Sequence, residues 1–240
     1  MIQTAAPITP DLVLRLNPRH PAATVAATKL QMACTRWAIT SPRQVAMLLA
    51  QLAHESGLIP VEENLNYRAV RICQVWPSRF PTLESAQPYA FNPKALGNRV
   101  YGGRMGNAPD EGYRNRGRGQ LQITGADNLQ KYGALIGYDL LADPDGLLQY
   151  GVSSLTAGAF WASHGLNALA ERGDIQGVTR AINGGLNGLD DRERLYQRSL
   201  NNIPRYGLLE TDAPLDVVRD TTEDLARRDY TYQQTFDFVS

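Results

Sequence analysis

Residues 41–57 restrict the fold of this chain more than any other stretch. Ser41 is a good helix N-cap, Pro42 suits the first helical position, and Gln44 completes a Ser-x-x-Gln capping box. Val45, Leu48, Leu49, Leu52 and Ala53 then recur at helical spacing, and Gly57 supplies the C-terminal stop. A helix this apolar belongs mostly inside a protein. Its last turn nevertheless carries Glu55.

The rest of the chain continues the helical theme. Residues 22–39, rich in Ala, Val, Leu and Met, read as a helix after His20-Pro21. Shorter helices are expected at 67–75 and 84–90, and helical patterning returns at 151–170, 174–182 and 190–203. Residues 97–126 differ, with eight glycines and five arginines among thirty residues. That stretch reads as irregular or weakly β. No strand–helix alternation and no internal repeat occurs. The expected fold is mainly α, a helical domain with a small irregular or β insert.

A chain of 240 residues with 43% apolar content buries one sizeable core. No segment approaches the roughly 20 consecutive apolar residues that span a bilayer. The N-terminus, Met1-Ile-Gln-Thr-Ala-Ala-Pro, shows no secretory signal. Cys34 and Cys73 read as reduced buried thiols, and the three histidines lack metal-ligand spacing, so no cofactor is implied. The net charge of zero hides an asymmetry. Residues 209–240 hold eight acids and three arginines, a net of −5, which leaves +5 on the body. A cationic body suits an anionic polymer, either a cell wall or nucleic acid.

Four clusters carry chemistry. In His54-Glu55-Ser56, burial at the end of an apolar helix would raise the pKa of Glu55 and keep it protonated, as a general acid requires. Glu63 follows within Glu62-Glu63-Asn64-Leu65-Asn66-Tyr67, and two carboxylates near one cleft are the minimum for glycoside hydrolysis. The Gly/Arg-rich stretch offers close backbone approach, forked arginine donors, and Gln122 and Thr124 for hydroxyls or a water. Nucleic acid is the rival ligand there. The stretch lacks both a phosphate-loop pattern and aromatic interleaving, so no nucleic acid is expected. Finally, Ile182-Asn183-Gly184-Gly185-Leu186-Asn187-Gly188 is a glycine-rich turn that lets Asn183 present its amide to a groove.

Six strings in order now carry a resemblance. They are His54-Glu55-Ser56-Gly57, Glu63 through Tyr67, Tyr101-Gly102-Gly103-Arg104-Met105-Gly106-Asn107, Arg116-Gly117-Arg118-Gly119 through Gly125, Phe160 through Asn167, and Ile182 through Gly188. Over roughly residues 40–200 the chain resembles family 19 chitinases, and especially the short bacteriophage endolysins and prophage lysozymes of that family. The resemblance implies a lysozyme-like α-rich fold and an inverting mechanism. It implies Glu55 as the general acid, Glu63 as the base and Thr124 as a water-holding hydroxyl. Tyr67, Arg116, Gln122, Asn183 and Arg192 would bind the sugar chain. The stretch between Glu55 and Glu63 is one residue shorter than the family pattern. Glu63 is therefore aligned through Asn64-Leu65-Asn66-Tyr67, and Glu62 stands as the alternative. An inverting pair would stand about 6.5–9.5 Å apart. His54 and His164 are expected to serve structural hydrogen bonds, and Trp161 a core helix.

The resulting expectation is an endolysin-type hydrolase of the bond between N-acetylmuramic acid and N-acetylglucosamine in peptidoglycan. It would be a monomer without stable membrane association, held in the host bacterial cytoplasm before release to the wall. A chitinase, or a wall-binding module without catalysis, is the alternative. The catalytic domain is expected over 1–206. Residues 207–240 form an extension whose Tyr230, Tyr232, Phe236 and Phe238 alternate like a strand and would dock on the cationic body.

Overall fold

In a computed structural model that describes residues 5–204, the helix foreseen after Ser41 runs from Pro42 to Ser56 (α3). The hydroxyl of Ser41 accepts from the Gln44 amide while Gln44 reaches back, so the capping box is complete. Gly57, left-handed at φ 63°, closes the other end. Every residue from Val45 to Ala53 is buried. This helix is buried all round, and the others are arranged about it.

Among the described residues, Pro10–Leu16 (α1), Ala23–Arg36 (α2), Tyr150–Ser163 (α8), Leu166–Glu171 (α9), Ile175–Asn183 (α10) and Leu189–Asn202 (α11) build the main body with α3. α11 covers α3 most extensively, and α2 lies along α8. Leu30, Leu48, Leu49, Leu52, Trp161, Val178 and Leu195 belong to this one core. A second, smaller core lies elsewhere. Leu65, Ile72, Phe80, Leu96 and Val100 come from Ala69–Val75 (α4), Pro93–Tyr101 (α6) and the chain around them, with Leu83–Ala86 (α5) alongside. A third cluster, with Ile123, Leu129, Tyr132 and Leu147, seats Ala126–Ile136 (α7) against α8.

The only sheet among the described residues is one antiparallel pair. Val61–Glu62 (β1) lies against Arg118–Gly119 (β2), with Val61 opposite Gly119 and Glu62 opposite Arg118. The mainly α, lysozyme-like fold with a small β insert is therefore what forms. Three details differ from expectation. The Gly/Arg-rich stretch begins as helix, because Asn92 caps α6 and carries it to Tyr101. α1 and α7 arise where no helix was foreseen. The helix expected over 151–170 breaks at His164 and Gly165, the latter at φ 63°.

Expectations for single residues fare differently. Cys34 and Cys73 are unbridged; burial pushes the Cys34 thiol up to about 12, while Cys73 is only partly buried. Trp161 is fully buried in α8, its indole bonded to Asn167 at 2.8 Å. His164 stacks on Phe160 and bonds its carbonyl at 2.8 Å. No helix among the described residues is long and apolar enough to cross a membrane. The extension over 207–240, with its expected docking through Tyr230, Tyr232, Phe236 and Phe238, lies outside the described residues.

Candidate active site

Glu55 sits in the last turn of α3, and the turn after it is tightly held. Gly57 and Leu58 are both left-handed, at φ 63° and 66°. Asn17 donates to the Gly57 carbonyl at 3.0 Å. The Leu58 carbonyl accepts from the Gln120 amide at 2.8 Å and bonds the His20 ring at 3.2 Å. Gln120 is itself fully buried and bonded to Ser153 and Ser154 of α8. Three elements thus fix where α3 ends and where the chain leaves it.

The Glu55 carboxylate accepts from the Arg192 guanidinium at 2.5 Å, with the two side chains 15% and 2% exposed. Arg192 also donates to Gln51 Oε1 at 2.6 Å and to the Asn187 carbonyl at 3.2 Å. This corrects one expectation. Glu55 does not sit alone among apolar groups; α11 brings a buried cation to it, in a part-buried ion pair. Arg192 is consequently part of the site, aimed by three bonds.

His54, next along α3, turns to Asp191 of α11 at 2.8 Å. Burial pushes the Asp191 carboxyl up, but the bonds from His54 and Arg194 outweigh it and hold the group below its ordinary value. The turn after α10 rests on the same ring. A Cβ at Gly188 would lie 2.2 Å from His54 Cε1, and its φ is 70°, so only glycine fits there. Asn183 ends α10 and is exposed, with Gly184 turning left-handed behind it.

Glu63 belongs to different surroundings. Its amide donates to the Gly117 carbonyl at 2.8 Å, one step beyond the β1–β2 pair. Its carboxylate accepts from the Tyr101 hydroxyl at 2.6 Å and from the Gly117 amide at 3.4 Å. Burial raises the Glu63 pKa; Tyr101, Gly117 and Arg116 pull it back, and the net effect is upward. Burial and the adjacent carboxylate hold the Tyr101 phenol protonated. Tyr67 lies beside Tyr101 and meets Trp76 edge-on, with ring centroids 6.0 Å apart.

Gly117 is where the groups around Glu63 converge. A Cβ there would fall 2.9 Å from Gln122 Oε1 and 3.2 Å from Thr124 Oγ1. The structure therefore gathers Glu63, Thr124 and Gln122 around one glycine. The Gln122 amide nitrogen donates to the carbonyls of Val61 and Gly119, at 2.9 and 3.0 Å. Thr124 donates to the Gln122 carbonyl at 3.0 Å, which leaves its oxygen lone pairs for another donor. Gln122 adopts φ 52°, strained for a side-chain-bearing residue.

Arg116 is not gathered there in the same way. Its guanidinium lies 4.1 Å over the Tyr113 ring, donates to the Tyr113 carbonyl at 2.9 Å, and pairs with Glu62. Glu62 faces the other side of its strand, half exposed, within 3.9 Å of Arg118. The two candidate carboxylates are thus sorted by the pleat: Glu62 to the arginines, Glu63 to Tyr101 and Gly117. Two participants carried no role in the sequence reading. Tyr101 had only its place in a recurring string. Gln51 left a visible trace, the one amide in the apolar run from Val45 to Ala53, one helical turn before Glu55.

No profile of a known protein family matches the chain. A glycosyl hydrolase family 19 domain-containing protein of Haemophilus influenzae is 40% identical over 159 residues, covering 64% of this chain and 77% of that protein. Among solved structures, a bacterial family 19 chitinase superposes with a TM-score of 0.54 at 17% identity, over 84% of this chain and 98% of the other. Chitinase C from Streptomyces griseus gives 0.55 at 17% identity, over 82% and 92%. The two structures speak for the fold, and the Haemophilus relative for kinship. A carboxylate paired to a buried arginine, a second carboxylate held by a phenol and a glycine amide, and that degree of identity agree: the chain belongs to glycosyl hydrolase family 19 and is a glycoside hydrolase.

Proposed function

We propose that the chain is an endolysin-type peptidoglycan hydrolase that cleaves the β-1,4 bond between N-acetylmuramic acid and N-acetylglucosamine with inversion. Glu55 protonates the leaving oxygen, and Glu63 takes a proton from water as that water attacks the anomeric carbon. The observation that carries the reading is the arrangement at Gly117. It sets the Thr124 hydroxyl and the Glu63 carboxylate on one residue, so a water held by Thr124 would be offered to the base. A carboxylate whose pKa burial has raised is also a stronger base, provided the medium keeps it ionised. Arg192 orients Glu55 and would steady negative charge left there after proton transfer.

The charge balance favours an anionic wall polymer over neutral chitin, because the +5 of the body attracts the former selectively. Chitin is the second substrate reading, favoured by the two solved chitinases that share the fold. The deciding experiment is mass spectrometry of fragments released from purified peptidoglycan, run beside a chitin digest. Muramic acid at the new reducing ends supports the proposal. Release of N-acetylglucosamine oligomers from chitin, with peptidoglycan left intact, replaces it with the chitinase reading.

A second reading of the roles also has an observation behind it. The free protein places a cation on Glu55 and raises the pKa of Glu63, which would suit Glu63 as the proton donor. The Thr124–Gly117 arrangement argues for the first assignment. A pair of substrates with different leaving groups separates the two.

A further inference from the structure

The Arg192 fork does not end at Glu55. Its Nη1 donates to Gln51 Oε1 at 2.6 Å, and Gln51 Nε2 donates to Thr179 Oγ1 of α10 at 3.3 Å. Gln51 and Thr179 are fully buried, and Arg192 is 1% exposed. The orientation of the Gln51 amide is fixed by chemistry. A guanidinium has no acceptor, so the amide oxygen must face Arg192 and its nitrogen must face the threonine hydroxyl.

We propose that Gln51 is a positioning residue for catalysis, holding the Arg192 fork in the plane from which it meets Glu55. Gln51 and Glu55 stand one turn apart on the same helix face and take the two terminal nitrogens of one guanidinium. Rotating the fork toward either partner withdraws it from the other. Thr179 ties this balance to α10, the helix that ends in Asn183. His54 turns away to Asp191, and Arg180 of α10 turns to Gln176. Nothing in the apolar packing of α3 requires an amide at this depth, and a lone buried amide would be costly.

This inference rests on the reading of Glu55 as the proton donor, so the test carries Glu55→Gln alongside. Gln51→Glu keeps the shape but puts a second carboxylate on the fork. That carboxylate competes for Arg192 and repels the Glu55 anion, so Glu55 holds its proton to higher pH. The expected result is a fall in kcat of about 10- to 100-fold with KM little changed, and an alkaline limb of the kcat profile displaced to higher pH. A purely structural glutamine would move the melting temperature and leave the pH profile in place. An unmoved profile in folded Gln51→Glu therefore overturns the inference, even if Glu55→Gln is inactive and the parent reading stands. An upward displacement of the acid limb instead supports the link from Gln51 to Glu55 while overturning the donor role of Glu55. Should Gln51→Glu not fold, Thr179→Val gives a second test. It removes the far anchor and is expected to lower kcat several-fold at constant KM, whereas wild-type kcat in that variant overturns the inference.

Discussion

The two candidate carboxylates are held by opposite means. Glu55 ends a helix buried in the main core and faces a cation fixed by three bonds. Glu63 follows a two-residue strand beside the smaller core and faces neutral donors, a phenol and a backbone amide. At Glu63 burial raises the pKa, and the phenol, the Gly117 amide and the Arg116 charge pull it only partly back. One fold thus gives two identical side chains different surroundings. The helix end supplies rigidity from bulk packing; the loop supplies it from Gly117, Gln122 and their backbone bonds.

The comparison breaks most sharply at Glu63. Glu63→Gln removes the proposed base and is expected to lower kcat on a soluble glycan by about 10²- to 10⁴-fold, with the fold retained. A variant with near wild-type kcat would remove Glu63 from the mechanism.

Tyr101→Phe sharpens the comparison. As the proposed base Glu63 would work as the anion, and burial already raises its pKa from the ordinary carboxylate value. The phenol lowers that pKa, so its loss raises the value further and moves the acid limb of the kcat profile to higher pH. Plateau activity should fall less than in Glu63→Gln. An acid limb that stays in place would show that Tyr101 does not govern Glu63.

The smallest effect is expected at Glu62. Its side chain is half exposed, so its ion pair with Arg116 contributes less than about 1 kcal/mol. Glu62→Gln should leave kcat close to wild type and lower the melting temperature only slightly. A loss as deep as that of Glu63→Gln would transfer the base role to Glu62.

Much of the Glu55 half was legible from sequence, because it depends on local signals. Ser41, Pro42, Gln44 and Gly57 punctuate α3 unambiguously, and the position of Glu55 follows. The Glu63 half depends on contacts distant in sequence, and there the reading thinned. Gly97, Gly102 and Gly103 read as breakers, yet Asn92 starts α6 and places Tyr101 at its end. Arginine and glutamine in a glycine-rich run suggest a ligand, but the same donors can serve the chain's own backbone. Arg116 and Gln122 do so, binding the Tyr113, Val61 and Gly119 carbonyls. The cation on Glu55 was similarly hidden, since Arg192 lies 137 residues away and meets it only through the packing of α11 on α3.

The most direct test of the division of labour uses two substrates that share N-acetylglucosamine rings but differ in leaving group. One is a natural oligosaccharide; the other is an aryl glycoside whose acidic phenol departs without a proton. The account predicts that Glu55→Gln is inactive on the first and recovers much of wild-type turnover on the second, while Glu63→Gln is inactive on both. Recovery by Glu63→Gln on the aryl glycoside, with Glu55→Gln inactive on both, would contradict it and exchange the two roles.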